Sequence, residues 1–525
     1  MRILPAALLC MLALAGARAE AGAGGVAPGT PIVAVLVDRH DVFDLDDPAT
    51  SAWPYRWADA LHIMTREDFI RSLLLFRVGD RLDPMALAES EIILRGTGFL
   101  NPVTISARPV PGGAEIVVET HDQWTTGVSI SFGVSGDRRH AGFGLSEDNL
   151  LGMGKSLMFD VSSDPERTST TFRYKDLTLF HSRWQLTLEH QSSSDGSMDH
   201  LRVEFPFYSL TTPRAGGVDW SRNESTMYLF SDTDRRVTGD ANMRTWEFWG
   251  GIRLPGESIR TNRLLVGAFG DQALFSNWQS LYGSPYPQPK DRNLVGPEAG
   301  WDHQTFNWKL VQGFRAWLRQ EDLALGPNWT FTTGLSLPFF GGDSIRYRYH
   351  GVFDSGQYRG RTYTWQHVDV SGRFESGGFA NAITHLEVGG ALTGKAGLRV
   401  RVAADLGHNL DGERQLTLGA DVGLRGYDPN TFDGTSRVIT NLEWRHRITE
   451  ELLHVAAIGL TGFADAGKSW AARVGPSTEG WRGDVGAGIL MELTRASLVR
   501  ILRFEVAVPD RGHKPVYLIT TDSLF

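Results

Sequence analysis

From Trp124 to Phe525, about 400 residues run as repeated segments in which every second side chain is apolar, separated by Gly, Asp, Asn and Ser turns. Trp184, Leu186 and Leu188 alternate with Gln185, Thr187 and Glu189, and Leu201, Val203, Phe205 and Phe207 with Arg202, Glu204 and Pro206. Thr440 and Leu442 alternate with Ile439, Asn441 and Glu443, and Leu502, Phe504, Val506 and Val508 with Arg503, Glu505 and Ala507. A period of two is the mark of strands with one apolar and one polar face. It fits a soluble sandwich with apolar residues inside, or a membrane barrel with apolar residues outside. The segments are long enough to cross a ~25 Å apolar band when tilted. The 16 Trp and 12 Tyr suit the aromatic girdles of such a barrel. The expected fold is therefore an all-β transmembrane β-barrel. At about 25 residues per strand and connection, it would have roughly 16 antiparallel strands.

Beyond the N-terminus no apolar run reaches the ~18 residues a membrane helix needs. Arg2, the apolar stretch Ile3 to Ala17 and Ala17-Arg18-Ala19 read as a signal peptide over residues 1–19, followed by a linker over 20–30. The only cysteine, Cys10, lies inside that signal, so disulfides, Cys-based zinc sites and thiol nucleophiles are all excluded from the processed chain. The net charge is −9, and no basic patch suggests nucleic acid. The expected compartments are the periplasm, the outer membrane or the exterior.

Residues 31–122 read as a small α/β unit, and 123–525 as the barrel. Pro31 to Val37 is a short apolar strand, and Asp41 to Thr65 is irregular. Thr65-Arg66-Glu67-Asp68 predicts a helix start with Thr65 as N-cap, continued by Phe69, Ile70, Leu73, Leu74 and Phe76. Gly79-Asp80 breaks it, and a second helix follows over about Pro84 to Arg95. Val103 to Ala107 and Ala114 to Glu119 are strands around a Pro-Gly-Gly turn. The order is β-α-α-β-β.

That order, with REDFIRSLLLFRVGDRLDPMALAESEIILRGTGFL from Arg66 to Leu100, resembles a POTRA domain, the periplasmic module of the BamA/TamA superfamily. Within the barrel region, Gly144 to Leu157 resembles that superfamily's early "DNLLGxGxSL" segment. Leu424-Arg425-Gly426-Tyr427 resembles its long-loop motif, with Phe432, Gly434 and Asn441 to Arg445 as context. Phe463-Ala464-Asp465-Ala466-Gly467 resembles the Phe-x-Asp-x-Gly strand motif, and Val485 to Gly488 and Leu502 to Glu505 continue the match. The C-terminal Phe525, with Tyr517 on the same strand face, resembles the aromatic assembly signal of outer-membrane barrels. The resemblance implies an outer-membrane barrel with one POTRA domain in the periplasm. Most assembly factors of that superfamily carry several. It also implies that Arg425 folds into the lumen and pairs with Asp465.

Gly462 to Ser469 satisfies the phosphate-loop pattern GxxxxGK[ST], but no helix of useful length can follow before Pro476 and Gly480, so nucleotide is not expected. No HExxH or GxSxG occurs and the 15 His are scattered, so neither an enzyme nor a cofactor is expected. The implied function is assistance to insertion or translocation of other polypeptides. The implied partners are the lipid bilayer, unfolded clients at an edge strand of the POTRA unit, and accessory lipoproteins. A passive pore or secretion channel, and a structural surface barrel, stand as alternatives.

Overall fold

The structure, a computed structural model, describes residues 25–525 apart from 136–137, 258, 283–284, 476–479, 498–500, 512–513 and 522–525. The signal peptide over 1–19, residues 20–24 of the linker and Phe525 lie outside the described residues.

The N-terminal unit runs β1 (Ile32–His40), α1 (Trp53–Leu61), α2 (Glu67–Leu73), α3 (Pro84–Gly96), β2 (Leu100–Val110) and β3 (Gly113–Asp122). β3 is central, parallel to β1 and antiparallel to β2. Its core holds Ile70 and Leu73 of α2, Leu87 and Leu94 of α3, and Ile116 and Val118 of β3. Two local expectations need correction. Asp41 to Thr65 is not wholly irregular, because α1 forms there. Pro54 sits at its start, no acid lies in its first turn and none of its residues is buried, so neither capping nor core periodicity marks it. The N-cap of α2 is Arg66, not Thr65. The Thr65 backbone N–H and hydroxyl both donate to Asp122 Oδ2, at 2.6 and 2.8 Å. A buried carboxylate that needs donors has taken Thr65 away from the helix end.

The rest is one antiparallel sheet of twenty strands among the described residues, closed on itself, from Thr126–Ser135 to Val516–Thr521. The expectation of about 16 is too low because most connections are shorter than it assumed. Gly196–Phe205, for example, follows Gln185–Ser193 after only a tight turn. Strand length varies around the barrel. Arg214–Ser231, Asp234–Arg253 and Arg260–Ser280 have 18, 20 and 21 residues, whereas Thr126–Ser135 and Val516–Thr521 have 10 and 6.

The alternation runs inside out relative to a water-soluble protein. In Ile501–Pro509, Arg503 and Glu505 are 1% and 3% exposed, while Phe504 and Val506 are 43% and 37% exposed. In Ser436–Arg447, Glu443 and Arg445 are buried while Leu442 and Trp444 stand outside. The outer belt continues through residues such as Phe143, Phe172, Phe248, Val266, Val388 and Val485. Water would penalise this belt, whereas hydrocarbon would solvate it, and a closed sheet leaves few backbone groups unpaired. No helix is long and apolar enough to cross a membrane. Val506→Arg is expected to cost about 2–4 kcal/mol if it lies near the bilayer midplane. Denaturant unfolding of the protein in lipid vesicles measures this, and an unchanged midpoint would place this face in water.

The phosphate-loop pattern, Gly462 to Ser469, lies wholly within the strand Ala456–Trp470. Its backbone is committed to the two neighbouring strands rather than curled around an anion.

Candidate functional site: a charged cluster in the lumen

Four strands on the seam side point charges inward at the same height. Their alternation puts Asn441, Glu443 and Arg445 on one inner face, Phe463 and Asp465 on the next, then Asp484, then Arg503 and Glu505. The loop after the strand Ala396–His408 folds down onto this patch. Leu424 is fully buried against Leu418, Tyr427, Ile439 and Ala403, which fixes the loop tip.

Arg425 is 2% exposed and meets three of the four carboxylates of the patch, Asp465, Glu443 and Glu505. Its Nε and Nη2 donate to Asp465 at 2.7 and 2.9 Å, a bidentate contact. Nη1 donates to Glu443 Oε2 at 2.9 Å and lies 3.5 Å from Glu505. The guanidinium stacks 3.4 Å from the centre of the Phe463 ring. Asn441 Nδ2 donates to Asp465 and to the Gly423 carbonyl, each at 2.7 Å, so the loop backbone is tied to the same carboxylate. Arg503 pairs with Glu443 and Glu505, both at 2.6 Å, and Arg445 pairs with Glu443. Arg425, Arg445 and Arg503 thus pair with Glu443, Asp465 and Glu505 within one network, beside the fourth carboxylate, Asp484.

The rest of the motif serves approach. The Gly426 N–H donates to Asp484 at 2.9 Å, and a Cβ on Gly426 would lie 2.6 Å from the Asp484 Cβ. Only glycine lets the loop come so near. A Cβ on Gly467 would lie 3.0 Å from Leu418, so this position leaves room for the loop's apolar anchor. Tyr427 donates its hydroxyl to Asp510, beyond the end of the strand of Arg503. The structure therefore brings together Leu424, Arg425, Gly426, Tyr427, Phe463, Asp465 and Gly467. Tyr517 does not join them. It lies on the last strand and is 65% exposed.

A second segment enters from the other end and was not singled out in the sequence. Residues 306–327 connect the strands Arg292–Thr305 and Asn328–Ser336 through a small hairpin, Trp308–Val311 paired with Glu321–Ala324. This insert reaches the same patch. The Trp317 and Leu318 N–H groups donate to the buried Glu492 at 2.7 and 3.0 Å. The Arg315 carbonyl accepts from Arg445 Nη1 at 3.2 Å. Phe314 packs edge-on to Tyr363 at 5.0 Å. Two signals could have marked these parts. The gap between strands is unusually long here, and opposite charges recur two apart in Glu443/Arg445 and Arg503/Glu505.

The hairpin also carries the N-terminal unit. Asp322 accepts from Arg95 Nε and Nη2 at 2.7 and 2.9 Å, and the Gln320 carbonyl accepts from Asn101 at 2.9 Å. Other turns at this end hold the unit too. The Arg66 N–H donates to the Gly152 carbonyl at 2.9 Å, Arg183 to the Leu74 carbonyl at 2.9 Å, and the Leu210 N–H to Glu89 at 2.6 Å. The "DNLLGxG" segment is one of these turns. Asn149 donates to Thr65 at 2.7 Å, and Gly154 has φ +65° with Phe69 filling the space a Cβ would need.

No family model matches the chain. No curated protein matches it in sequence. Among solved structures it is similar to BamA from Haemophilus ducreyi lacking POTRA domains 1–3, at 14% identity and a TM-score of 0.40, over 93% of this chain and 84% of that one. It is similar to CdiB from Acinetobacter baumannii at 10% identity and a TM-score of 0.46, over 94% and 74% of the two chains. CdiB from Escherichia coli gives 15% identity and a TM-score of 0.44, over 94% and 76%. The barrel itself rests on the strand register and on the inverted burial described above.

Proposed function

We propose that this chain is an outer-membrane β-barrel of the BamA/TamA type that assists insertion or translocation of other polypeptides. In this reading residues 31–122 form a single POTRA-like unit in the periplasm, and accessory lipoproteins are further candidate partners. No enzymatic step is part of the reading.

The observation that carries it is the seam. Among the described residues, the last strand meets the first through three register pairs, Tyr517↔Val134, Leu518↔Gly133 and Ile519↔Phe132. The neighbouring pair Thr126–Ser135 and Arg138–Glu147 has ten. A short antiparallel edge can part, and the freed N–H and C=O groups are a template for a client strand. Closing the client's own sheet supplies the free energy, so no nucleotide is required. In the N-terminal unit, β1 and β2 are the edge strands, and either offers the same kind of pairing to an unfolded chain.

The test is a disulfide across the seam, Gly133→Cys with Leu518→Cys, in cells whose own copy is deleted. Quantitative proteomics of the outer membrane is expected to show a small set of proteins lost on deletion. Wild type and each single variant should restore them, and the oxidised double variant should not. Full restoration by the crosslinked protein would exclude opening at the seam and favour passage through the lumen.

A further inference from the structure

Near the C-terminal ends of β1 and β3, one face of the N-terminal sheet carries a compact group of metal-binding side chains outside everything described so far. His40 and His121 are register partners across the parallel pair, as are Asp38 and Glu119 two residues earlier. Alternation puts all four on the same face. The two imidazoles lie nearly parallel with centres 4.4 Å apart. His121 Nε2 is 3.2 Å from Glu119 Oε1, and His40 Nε2 is 3.5 Å from Asp38 Oδ1. One ligand atom from each of His40, Glu119 and His121 lies within 4.8 Å of the others. The other Glu119 oxygen accepts from the Thr104 hydroxyl at 3.3 Å, which orients the carboxylate as outer partners orient metal ligands. All three side chains are partly exposed, so an ion has a way in.

We propose that His40, His121 and Glu119 bind one divalent ion of the zinc class, with Asp38 or water in the fourth position. Two imidazoles and one or two carboxylates suit a borderline transition metal, whereas magnesium and calcium require a mainly oxygen shell. Zinc takes such ligands at about 2.0–2.2 Å in a tetrahedral shell, so small side-chain rotations close the site without moving the strands. The ion joins the ends of β1 and β3 just before the chain passes into the barrel at Thr126.

The experiment uses the full chain in detergent, purified through a histidine-free tag and stripped with EDTA. Equilibrium dialysis against Zn²⁺ or Mg²⁺, read by elemental analysis, is expected to find one zinc per chain and no magnesium at the same micromolar concentration. His40→Ala combined with His121→Ala should lose that zinc. The near-isosteric Glu119→Gln should weaken binding with the fold unperturbed, and Thr104→Val should weaken it by about tenfold. Far-UV circular dichroism and heat-modifiable gel mobility check folding of every variant. Failure to bind zinc at micromolar concentration would overturn the proposal. So would a full equivalent retained in the folded double-histidine variant, which would mark the metal as adventitious.

Discussion

Arg425→Ala is expected to destabilise the barrel by about 3–5 kcal/mol, the range for removing one partner of a buried ion pair. The loss should fall at the upper end of that range because three carboxylates share this guanidinium. Asp465 would keep Asn441 as a donor, and Glu443 would rely on Arg445 and Arg503. The loop would then be held by the Gly423 and Gly426 contacts, the Tyr427 hydroxyl on Asp510 and the packing of Leu424. Asp465→Ala should cost less, since Arg425 still reaches Glu443 and Glu505. The double variant should cost less than the sum of the two, by about 0.5–3 kcal/mol. Arg425→Lys should not rescue, because an ammonium cannot make the bidentate contact and also stack on Phe463. Denaturant unfolding in vesicles measures each, and full additivity would dissolve the network as an energetic unit.

Replacing residues 308–324 by a short Gly-Ser link should raise single-channel conductance in planar bilayers several-fold. That segment and the loop of Arg425 meet at Glu443 and Arg445 from opposite ends, so the lumen is occupied along the seam side. Removing the hairpin takes away Trp317 and Phe314, and with Asp322 the bidentate hold on Arg95. Limited proteolysis between residues 120 and 126 should accelerate in the same variant as the N-terminal unit loosens. Heat-modifiable mobility controls for an intact barrel. Unchanged conductance would mean that the hairpin obstructs nothing and serves only to dock the unit.

How much of this could be read from the chain depends on the physical range of each signal. Strand alternation is local and strong, so segments such as Ile501–Pro509 are legible, but which face is inside depends on the closed sheet, where Arg503 and Glu505 are buried and Phe504 and Val506 exposed. Strand number is a sum over many connections, and a small error in assumed turn length compounds into four strands. The meeting of Arg425 with Asp465 spans 40 residues, and no local pattern contains it; family resemblance suggested it instead. The reach of Trp317 to Glu492, 175 residues away, had no such guide. Helix α1 carries no core periodicity because it buries nothing. Thr65 stands outside α2 because its backbone N–H and its hydroxyl both donate to Asp122, a partner 57 residues away that no local pattern contains.

The unequal strands give the molecule a lopsided skyline. At about 3.3 Å per residue, a 20-residue strand such as Asp234–Arg253 extends roughly 66 Å, while one of 10 such as Thr126–Ser135 covers about half that. The surplus on the long side cannot all fit within a ~25 Å apolar band even when steeply tilted. Asp234–Arg253 joins its predecessor by a tight turn at the end away from the N-terminal unit, so part of the excess stands clear of the bilayer as paired ribbon. An antibody or protease approaching from that side meets a hydrogen-bonded wall rather than loose loops. Epitopes there would depend on the folded register, and denatured protein would not raise or absorb the same antibodies.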